Sequence, residues 1–265
     1  MTKEESLLGC SITGIMNNPE ILLDKDILQN GAKICVDTNK EWAEKIGINQ
    51  ATRVTCIKPD GMSANLLAEE KDIPASGIHP HHAKKYFRRI QVNKADPVYK
   101  YFKKHNPHMC EESVWSANNT DDVITFPIEL NGQNIITKDK LTAIQHLKYA
   151  KFVQRNWVLP GTTERNEKPV THNVSITVEV EENEWDEVID YLFKNKSYFA
   201  AVSFISKITG YKQLPYERID TEEKEEMLKF YKDNYKVVNY EEFIEDEDNT
   251  DMRKEVSCAG GKCEI

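Results

Sequence analysis

The chain has 265 residues and a mass of 30.6 kDa; 39% of its residues are hydrophobic, 30% are charged, and its mean hydropathy is −0.62. This composition excludes wholesale disorder, and no apolar run approaches the roughly 18 to 20 residues of a membrane-spanning helix. A net charge of −9 argues against nonspecific binding to nucleic acid or anionic lipid. Six cysteines, four of them scattered singly, and an N-terminus without the apolar segment of a secretory signal indicate a cytoplasmic enzyme or enzyme subunit.

Strand-like and helix-like segments alternate through most of the chain. Strands are predicted at residues 53–58, 86–93, 123–128, 173–180 and 199–205. Helices are predicted after Asp96-Pro97, over residues 184–193, and over residues 139–155 with the buried stripe Leu141, Ile144, Leu147, Ala150 and Val153. Pro127 indicates the end or the edge of its strand, and the apolar run 199–205 is typical of a strand covered on both faces. The order strand, helix, strand favours an α/β fold with crossover connections.

The character of the chain changes near Gly210, so we predict one domain over residues 1–209 and a C-terminal segment over residues 210–265. A short helix is predicted near Asp220, with Glu223 as its capping-box partner. Residues 241–251 contain seven acidic and no basic side chains, and such a segment repels itself and buries little surface. We interpret it as a mobile tether that carries the end of the chain.

The end of the chain holds two thiols, Cys258 and Cys263, in the sequence CAGGKC. The two glycines between them let the backbone fold back until the sulfur atoms reach disulfide distance. A thiol pair on a flexible arm can enter a site, exchange with a disulfide there and leave to be reduced again. Two unrelated thiols, or half of a metal site that lacks two further ligands nearby, are the alternatives.

A second candidate site is the sequence KPDGMSAN at residues 58–65, which follows a predicted strand and opens a predicted helix at Ser63. Free main-chain N–H groups at such a helix end form an anion site suited to a phosphate. The sequence is not a Walker motif, and an ordinary strand-to-helix turn is the simpler interpretation.

Three imidazoles stand close together at His79, His81 and His82. A polar loop that lines a pocket is favoured over a metal site, because no carboxylate or cysteine ligand follows at a fitting spacing. Arg88 and Arg89 could support a bound phosphate or pair with the abundant carboxylates. The remaining cysteines are interpreted as small buried hydrophobic side chains rather than nucleophiles: Cys10, Cys35, Cys56 and Cys110.

Taken together, these segments resemble the C-terminal part of adenosylcobalamin-dependent (class II) ribonucleoside-triphosphate reductases. The matching stretches are residues 53–61 (RVTCIKPDG), 77–80 (GIHP), 86–89 (YFRR), 171–178 (THNVSITV), 184–188 (EWDEV), 211–217 (YKQLPYE) and 258–263 (CAGGKC). The resemblance runs in order over nearly the whole chain, which makes it far more specific than any one motif.

The resemblance implies the C-terminal portion of a ten-stranded α/β barrel followed by a flexible redox tail. In that family, adenosylcobalamin homolyses against a cysteine on a central finger loop, and the thiyl radical removes the substrate 3′-hydrogen. A nearby cysteine pair reduces the 2′-position and becomes a disulfide. The C-terminal thiols re-reduce that disulfide, and a thioredoxin or glutaredoxin-type protein re-reduces the tail. The implied role is the synthesis of deoxyribonucleotides for DNA replication.

The resemblance also assigns roles to residues of this chain. The turn that holds the substrate phosphates corresponds to Pro59, Asp60, Gly61, Met62 and Ser63, where Met62 replaces the hydroxyl residue usual in the family. Cys258 and Cys263 correspond to the shuttle pair, and no metal ligands are implied. The stretches that contact cobalamin fall over residues 92–153 and 212–251, and the cofactor-binding residues that we assign are Tyr211, Gln213, Pro215 and Tyr216.

The finger loop of the family carries an Asn-Pro-Cys-x-Glu sequence, which this chain lacks. Residues 106–111 (NPHMCE) look similar, but they lie downstream of the phosphate turn and their spacing differs, so we reject Cys110 as the radical cysteine. The two internal redox cysteines and the effector-binding regions also belong upstream. We therefore expect one half of a split enzyme, whose partner chain supplies the radical cysteine. The alternative is a non-catalytic remnant that binds cobalamin or nucleotide.

Overall fold

The computed structural model describes residues 3, 6–59, 68–69, 73–74, 76–130, 134–163, 170–207 and 212–244. Its helices are Pro19–Leu22 (α1), Lys25–Ile46 (α2), Pro97–His105 (α3), Ala143–Val153 (α4), Trp185–Asn195 (α5) and Glu222–Asn234 (α6). Its strands are Ala68–Glu69 (β1), Ile73–Pro74 (β2), Lys85–Asn93 (β3), Cys110–Glu112 (β4), Asp121–Glu129 (β5), Thr177–Val180 (β6), Ser203–Ser206 (β7) and Tyr216–Arg218 (β8). Within these residues, no helix has the length and apolar character that a membrane crossing requires.

The chain divides into two compact units. The first comprises residues 1–81 and 131–208, and the second comprises residues 82–130 and 209–265. The predicted single boundary after residue 209 differs from the structure, which assigns residues 82–130 to the C-terminal unit. The physical reason is strand pairing, because β3 pairs antiparallel with β8, more than a hundred residues further along the chain.

The first unit contains several extended segments that run parallel to one another, beside the antiparallel pair β1–β2 and an antiparallel bridge between Arg53 and Thr162. Cys10 bridges Thr55, Ile57 bridges Val174, and β6 pairs with β7, in each case in parallel. Helices α2, α4 and α5 lie in the connections between successive segments. This confirms the expected mixture of helices and parallel strands with crossover connections. The described residues contain no closed ten-stranded barrel, and the predicted strand 53–58 consists of isolated bridges.

Helix α4 forms much of the core of the first unit. Its predicted stripe is confirmed for the four positions inside the helix, which are all buried: Ile144, Leu147, Ala150 and Val153. Leu141 lies before the helix, because Thr142 caps it through a capping box with Gln145. The helix continues as a π-helical turn, Gln154–Val158, in which the Trp157 indole N–H donates to the carbonyl oxygen of Cys56 over 3.0 Å. The turn therefore fastens the helix to the segment at residues 53–57.

The second unit is a four-stranded antiparallel sheet in the order β4-β5-β3-β8. The α/β expectation therefore holds for the first unit and is wrong for the second. The strands predicted at residues 86–93 and 123–128 are confirmed as β3 and β5. Strand β4 pairs with only Asp122, Val123 and Ile124 of β5. Pro127 lies beyond that pairing, where β3 is the sole described neighbour of β5, so its predicted edge position is confirmed.

Two helix starts in the second unit test the capping predictions. The Asp96 side chain accepts from the Tyr99 N–H over 2.9 Å, and α3 begins at Pro97 as predicted. The capping box predicted for α6 is wrong by one residue. Thr221, in an extended backbone conformation, caps the helix by accepting from the N–H of Lys224, whereas the Asp220 carboxylate pairs with the Lys224 ammonium over 3.0 Å.

The apolar run at residues 199–205 was predicted to be covered on both faces, and this prediction is wrong for the chain by itself. Ser203, Ile205 and Ser206 are exposed in β7, and Phe204 is half-buried. Among the described residues, β7 pairs with β6 alone. The run indicates a strand that the described part of the chain covers on one side only.

Candidate functional site

The predicted phosphate turn begins where the parallel segment at residues 53–57 ends. The N–H of Lys58 donates to the Ser11 hydroxyl over 3.0 Å, and the carbonyl oxygen of Pro59 accepts from Nδ1 of His79 over 3.2 Å. Pro59 is the one described member of the predicted phosphate-binding set. The other four lie outside the described residues: Asp60, Gly61, Met62 and Ser63.

His79 joins the start of the turn to strand β6. Its Nδ1 donates to Pro59, and its Nε2 accepts from the main-chain N–H of Thr177 over 2.9 Å. A ring with one donating and one accepting nitrogen is a neutral imidazole protonated on Nδ1. Burial, aided by the nearby Lys138 ammonium, lowers the pKa of His79 from its ordinary value. The neutral form that this bridge requires is therefore the favoured form.

A second imidazole, His146, lies behind this bridge on helix α4. Its Nε2 donates to the carbonyl oxygen of Ile78 over 2.8 Å, and its ring centroid lies 6.0 Å from that of His79. Burial lowers the pKa of His146 to about 4. His146 is not among the residues predicted from the sequence, where its one signal is its place next to the apolar stripe of a predicted helix.

This buried histidine makes stability depend on pH. The unfolded chain binds a proton at His146 as the pH falls below 6.5, whereas the folded chain binds it only near pH 4. Stabilisation that is complete above pH 6.5 should therefore be lost between these values, by about 3 kcal/mol. Urea unfolding at several pH values should show this loss reduced in His146→Gln, and retained in the control variant His105→Gln. Equal pH slopes for wild type and His146→Gln would contradict this prediction.

The three imidazoles near residue 80 do not act as one group. Both ring nitrogens of His79 are engaged by main-chain atoms, the carbonyl oxygen of His81 accepts from the N–H of Lys138, and the ring of His82 packs on Tyr216. Within the part of the chain that the structure describes, no group of three or more histidine, cysteine or carboxylate side chains could hold a metal ion. The structure thus gives a loop in which the His79 ring fixes main-chain positions, while the His82 ring packs on another aromatic ring.

In the second unit, the predicted cofactor residues lie on the segment that leads into β8. Gln213 has a left-handed backbone, with φ at 51°. Its side-chain oxygen accepts from the N–H of Val114, and its side-chain nitrogen donates to the carbonyl oxygen of Glu112, both over 2.8 Å. The carbonyl oxygen of Pro215 accepts from the N–H of Arg89 over 2.8 Å. Gln213 and Pro215 therefore hold this segment against its neighbours, while Tyr211 lies outside the described residues.

Tyr216 is the predicted cofactor residue whose ring joins a cluster of aromatic and cationic side chains. We call His82, Tyr86, Arg88 and Tyr216 the Tyr216 cluster. The Arg88 guanidinium carbon lies 4.3 Å from the centroid of the Tyr216 ring, and the His82 ring stacks on it at 6.1 Å with an interplanar angle of 26°. Arg89, by contrast, pairs with the Glu217 carboxylate over 2.5 Å. Arg89 therefore pairs with a carboxylate, which is one of the two roles that the sequence left open for Arg88 and Arg89.

Thiols that are far apart in the sequence meet in the first unit. The Cys35 thiol donates to the sulfur atom of Cys10 over 3.6 Å, and the N–H of Cys56 donates to the carbonyl oxygen of Cys10 over 2.9 Å. Cys56 is buried, as interpreted from the sequence, but Cys10 and Cys35 are only half-buried and contact each other. The interpretation of these two as separate buried hydrophobic side chains is therefore corrected. Cys258 and Cys263 and most of the acidic tether lie outside the described residues.

Comparisons with known proteins relate this geometry to an enzyme family. No protein-family model matches the chain. The adenosylcobalamin-dependent ribonucleoside-triphosphate reductase of Euglena gracilis is 25% identical over 232 residues, covering 86% of this chain and 29% of the relative. A probable reductase of the same name from Dictyostelium discoideum is 28% identical over 221 residues, covering 80% of this chain and 26% of the relative. The chain is similar to part of an adenosylcobalamin-dependent ribonucleoside-triphosphate reductase. The resemblance drawn from the sequence is thereby confirmed.

The structure agrees with this similarity at the level of the fold. The crystal structure of a B12-dependent (class II) ribonucleotide reductase matches with a TM-score of 0.59 and 19% identity, covering 81% of this chain and 27% of that one. The reductase of Lactobacillus gasseri is 22% identical over 268 residues and aligns with 100% of this chain but 33% of its own length. The chain thus spans between about a quarter and a third of the length of these reductases.

Proposed function

We propose that this chain is the C-terminal portion of an adenosylcobalamin-dependent ribonucleotide reductase. The whole enzyme converts ribonucleoside triphosphates to 2′-deoxyribonucleoside triphosphates in the cytoplasm, with a thioredoxin or glutaredoxin-type protein as reductant. The observation that carries the proposal is the similarity to reductases of this name over 80% to 100% of the chain.

The phosphates of the substrate are assigned to the turn at residues 59–63. Two observations support this assignment. The turn follows the parallel segment 53–57, and ligands of parallel α/β sheets bind outside the carboxyl ends of the strands. His79 also joins the carbonyl oxygen of Pro59 to the main chain of β6, which fixes the start of the turn. His79 is thus a positioning residue rather than a phosphate ligand.

Replacing His79 by phenylalanine should weaken triphosphate binding by the assembled reductase. The variant keeps an aromatic ring but loses both hydrogen bonds, and a loss of about 1 to 1.5 kcal/mol corresponds to a roughly tenfold increase in KM. The value of kcat should change much less, because His79 touches no reacting atom. His79→Gln retains a donor and an acceptor and should recover part of the affinity. An unchanged KM for His79→Phe, measured by steady-state kinetics, would remove the positioning role.

The cofactor is assigned to the segment that contains Tyr211, Gln213, Pro215 and Tyr216. Aromatic rings and guanidinium groups pack on flat conjugated ligands, so the Tyr216 cluster fits a corrin macrocycle, and Tyr216 is the residue expected to contact it. Gln213 and Pro215 would act by holding the segment in place. Bound adenosylcobalamin supplies the radical by homolysis of its cobalt–carbon bond.

Cys258 and Cys263 are proposed to return electrons to the active site. One thiolate attacks the internal disulfide and forms a mixed disulfide, which the second thiolate resolves. The tail becomes a disulfide, and two electrons and two protons pass to the internal cysteine pair. The external reductant then restores the tail by the same exchange.

The radical cysteine and the rest of the barrel are proposed to come from a further stretch of reductase sequence, as a partner chain. The chain lacks an Asn-Pro-Cys-x-Glu sequence, and the relatives extend well beyond the aligned part. The surface supports a covering partner, since Ile205 on β7 is 46% exposed, and Ile189 and Phe193 on α5 are 59% and 72% exposed. Exposed strand edges and apolar side chains of this kind are typical of an incomplete sheet.

Reconstitution tests this function. Combining the chain with a reductase segment that carries the finger loop should yield deoxyribonucleoside triphosphates only when adenosylcobalamin is added. The missing finger-loop sequence also allows the second candidate, a non-catalytic remnant. Cobalamin or nucleotide binding by the chain, without product in any such mixture, would favour the remnant.

A further inference from the structure

We propose that Cys10 and Cys35 form a reversible disulfide, which gives this chain a second redox site besides its tail. The two sulfur atoms lie 3.6 Å apart, although 25 residues separate them in the sequence. Both side chains are half-buried, so a small oxidant can reach them, and both are free thiols in this structure. Cys10 belongs to an extended segment and Cys35 to helix α2, so the bond would connect two elements of the first unit.

The two thiols are not equivalent. Burial and the hydrogen bond that Cys35 donates to Cys10 raise the pKa of Cys35 to about 11. Cys35 therefore keeps its proton, while the Cys10 sulfur accepts a hydrogen bond. Since thiolates rather than thiols react with oxidants, Cys10 is the sulfur that reacts first and Cys35 is the resolving thiol.

The reaction balances with a peroxide as oxidant. The Cys10 thiolate attacks one peroxide oxygen, the O–O bond breaks, and a sulfenic acid and hydroxide form. The Cys35 sulfur then displaces hydroxide from the sulfenic acid as its own proton leaves, and the S–S bond forms. The two cysteines together lose two electrons and two protons, and hydrogen peroxide becomes two water molecules. A dithiol reductant reverses the change by thiol–disulfide exchange.

The disulfide between Cys10 and Cys35 would restrict the main-chain segment that leads to the phosphate turn. The N–H of Cys10 donates to the carbonyl oxygen of Val54 over 2.7 Å, and the carbonyl oxygen of Cys10 accepts from the N–H of Cys56. A covalent link from Cys10 to α2 would therefore tie that helix to the main chain at residues 54–56. We expect the oxidised chain to melt about 5 °C above the reduced chain, because the bond closes a loop in the unfolded state.

Cys56 provides the matched control. It is the third thiol of this region, and its main chain bonds to that of Cys10, but it is buried, and burial raises its pKa. The proposal therefore predicts that Cys10 forms its disulfide with Cys35 and not with Cys56.

Peptide mapping of the full chain tests the proposal, with no need for enzyme activity. The chain is treated with hydrogen peroxide, blocked with N-ethylmaleimide and digested with trypsin without reduction. Cys10, Cys35 and Cys56 fall in different tryptic peptides, residues 4–25, 34–40 and 54–71. The expected product is residues 4–25 joined to 34–40, which dithiothreitol separates. It should persist in Cys56→Ser and disappear in Cys35→Ser.

Two results would overturn the proposal. One is the absence of the 4–25 to 34–40 product at a peroxide dose that converts free Cys10 to sulfenic or higher oxidised forms. The other is a product that joins residues 4–25 to 54–71. Mapping of the wild-type chain decides between these results even if a serine variant does not fold. Neither result bears on the proposed reductase function, since that proposal assigns no role to Cys10 or Cys35.

Discussion

Serine at Cys258 or Cys263 is expected to abolish thioredoxin-driven cycling of the assembled reductase while leaving one turnover per active site. A prereduced enzyme holds its internal cysteine pair as thiols, so the first substrate is reduced without the tail. The second turnover requires the tail, because a macromolecular reductant cannot enter the active site, and a single remaining thiol cannot resolve a mixed disulfide. A single-turnover and a multiple-turnover assay, run on the same preparation, separate the two steps.

A small dithiol and a cysteine elsewhere in the chain supply the controls for this experiment. A small dithiol reaches the internal disulfide directly, so it should sustain turnover in both tail variants. Cys110→Ser should cycle normally with thioredoxin, since we reject Cys110 as the radical cysteine. Normal thioredoxin-driven cycling in Cys258→Ser and Cys263→Ser would show that the two tail cysteines do not act as a shuttle.

The second large effect is expected at Gly161, where an added methyl group has no room. A Cβ atom at residue 161 would lie 1.7 Å from the hydroxyl oxygen of Thr55 and 2.6 Å from its Cβ. Thr55 is buried, and its hydroxyl donates to the carbonyl oxygen of Trp157 over 2.6 Å, so it cannot turn away. We expect Gly161→Ala to lower the free energy of unfolding by about 3 kcal/mol or more. Urea unfolding of the purified chain measures this loss.

Gly47 is the matched control for this substitution. It ends helix α2 with φ at 70°, and nothing lies within 4 Å of an added Cβ. Gly47→Ala should therefore cost only backbone strain, about 1 kcal/mol. Thr55→Ala removes the hydroxyl oxygen and the Cγ2 atom, which also lies 2.6 Å from the added Cβ, and should partly restore the stability of Gly161→Ala. Equal losses in the free energy of unfolding for Gly161→Ala and Gly47→Ala would show that the close contact of residue 161 with Thr55 is not the cause of the effect.

Elements with local signals could be predicted from the sequence. The Asp96-Pro97 pair fixed the start of α3, because a capping carboxylate and a proline act within one turn. The apolar period of α4 gave its buried face, although the capping box at Thr142 set its true beginning. For α6, two adjacent residues that can each act as a cap, Asp220 and Thr221, left the start ambiguous by one residue.

Features that depend on distant parts of the chain could not be predicted in this way. The second unit forms because β3 pairs with β8, where Tyr86 lies opposite Arg218. No change in the composition of the sequence marks its boundaries at residues 82 and 130. The contact of Cys10 with Cys35 arises from the docking of a helix on an extended segment. The exposure of β7 has a different cause. Its apolar sequence is typical of a strand that is packed on both faces, but the described residues pack on only one of them.

The sequence proposed the candidate site residues, but it did not indicate the contacts that hold the described ones in place. The sequence located the turn at Pro59 and the loop at His79 as separate features. The structure shows that His79 joins that turn to Thr177. Likewise, the resemblance assigned Gln213 to the cofactor, whereas its side chain bonds to the main chain of Glu112 and Val114. Such contacts depend on side-chain geometry that spacing along the sequence does not specify.

The central claim is that this chain works as part of an adenosylcobalamin-dependent reductase. The most direct measurement is native affinity purification of the chain from its source, followed by mass spectrometry and a deoxyribonucleotide assay of the purified material. We expect a finger-loop sequence, Asn-Pro-Cys-x-Glu, in a one-to-one ratio with this chain, whether on a partner or on the same polypeptide. We also expect the purified material to form product only with adenosylcobalamin. A purified chain without that sequence and without activity would contradict the catalytic claim.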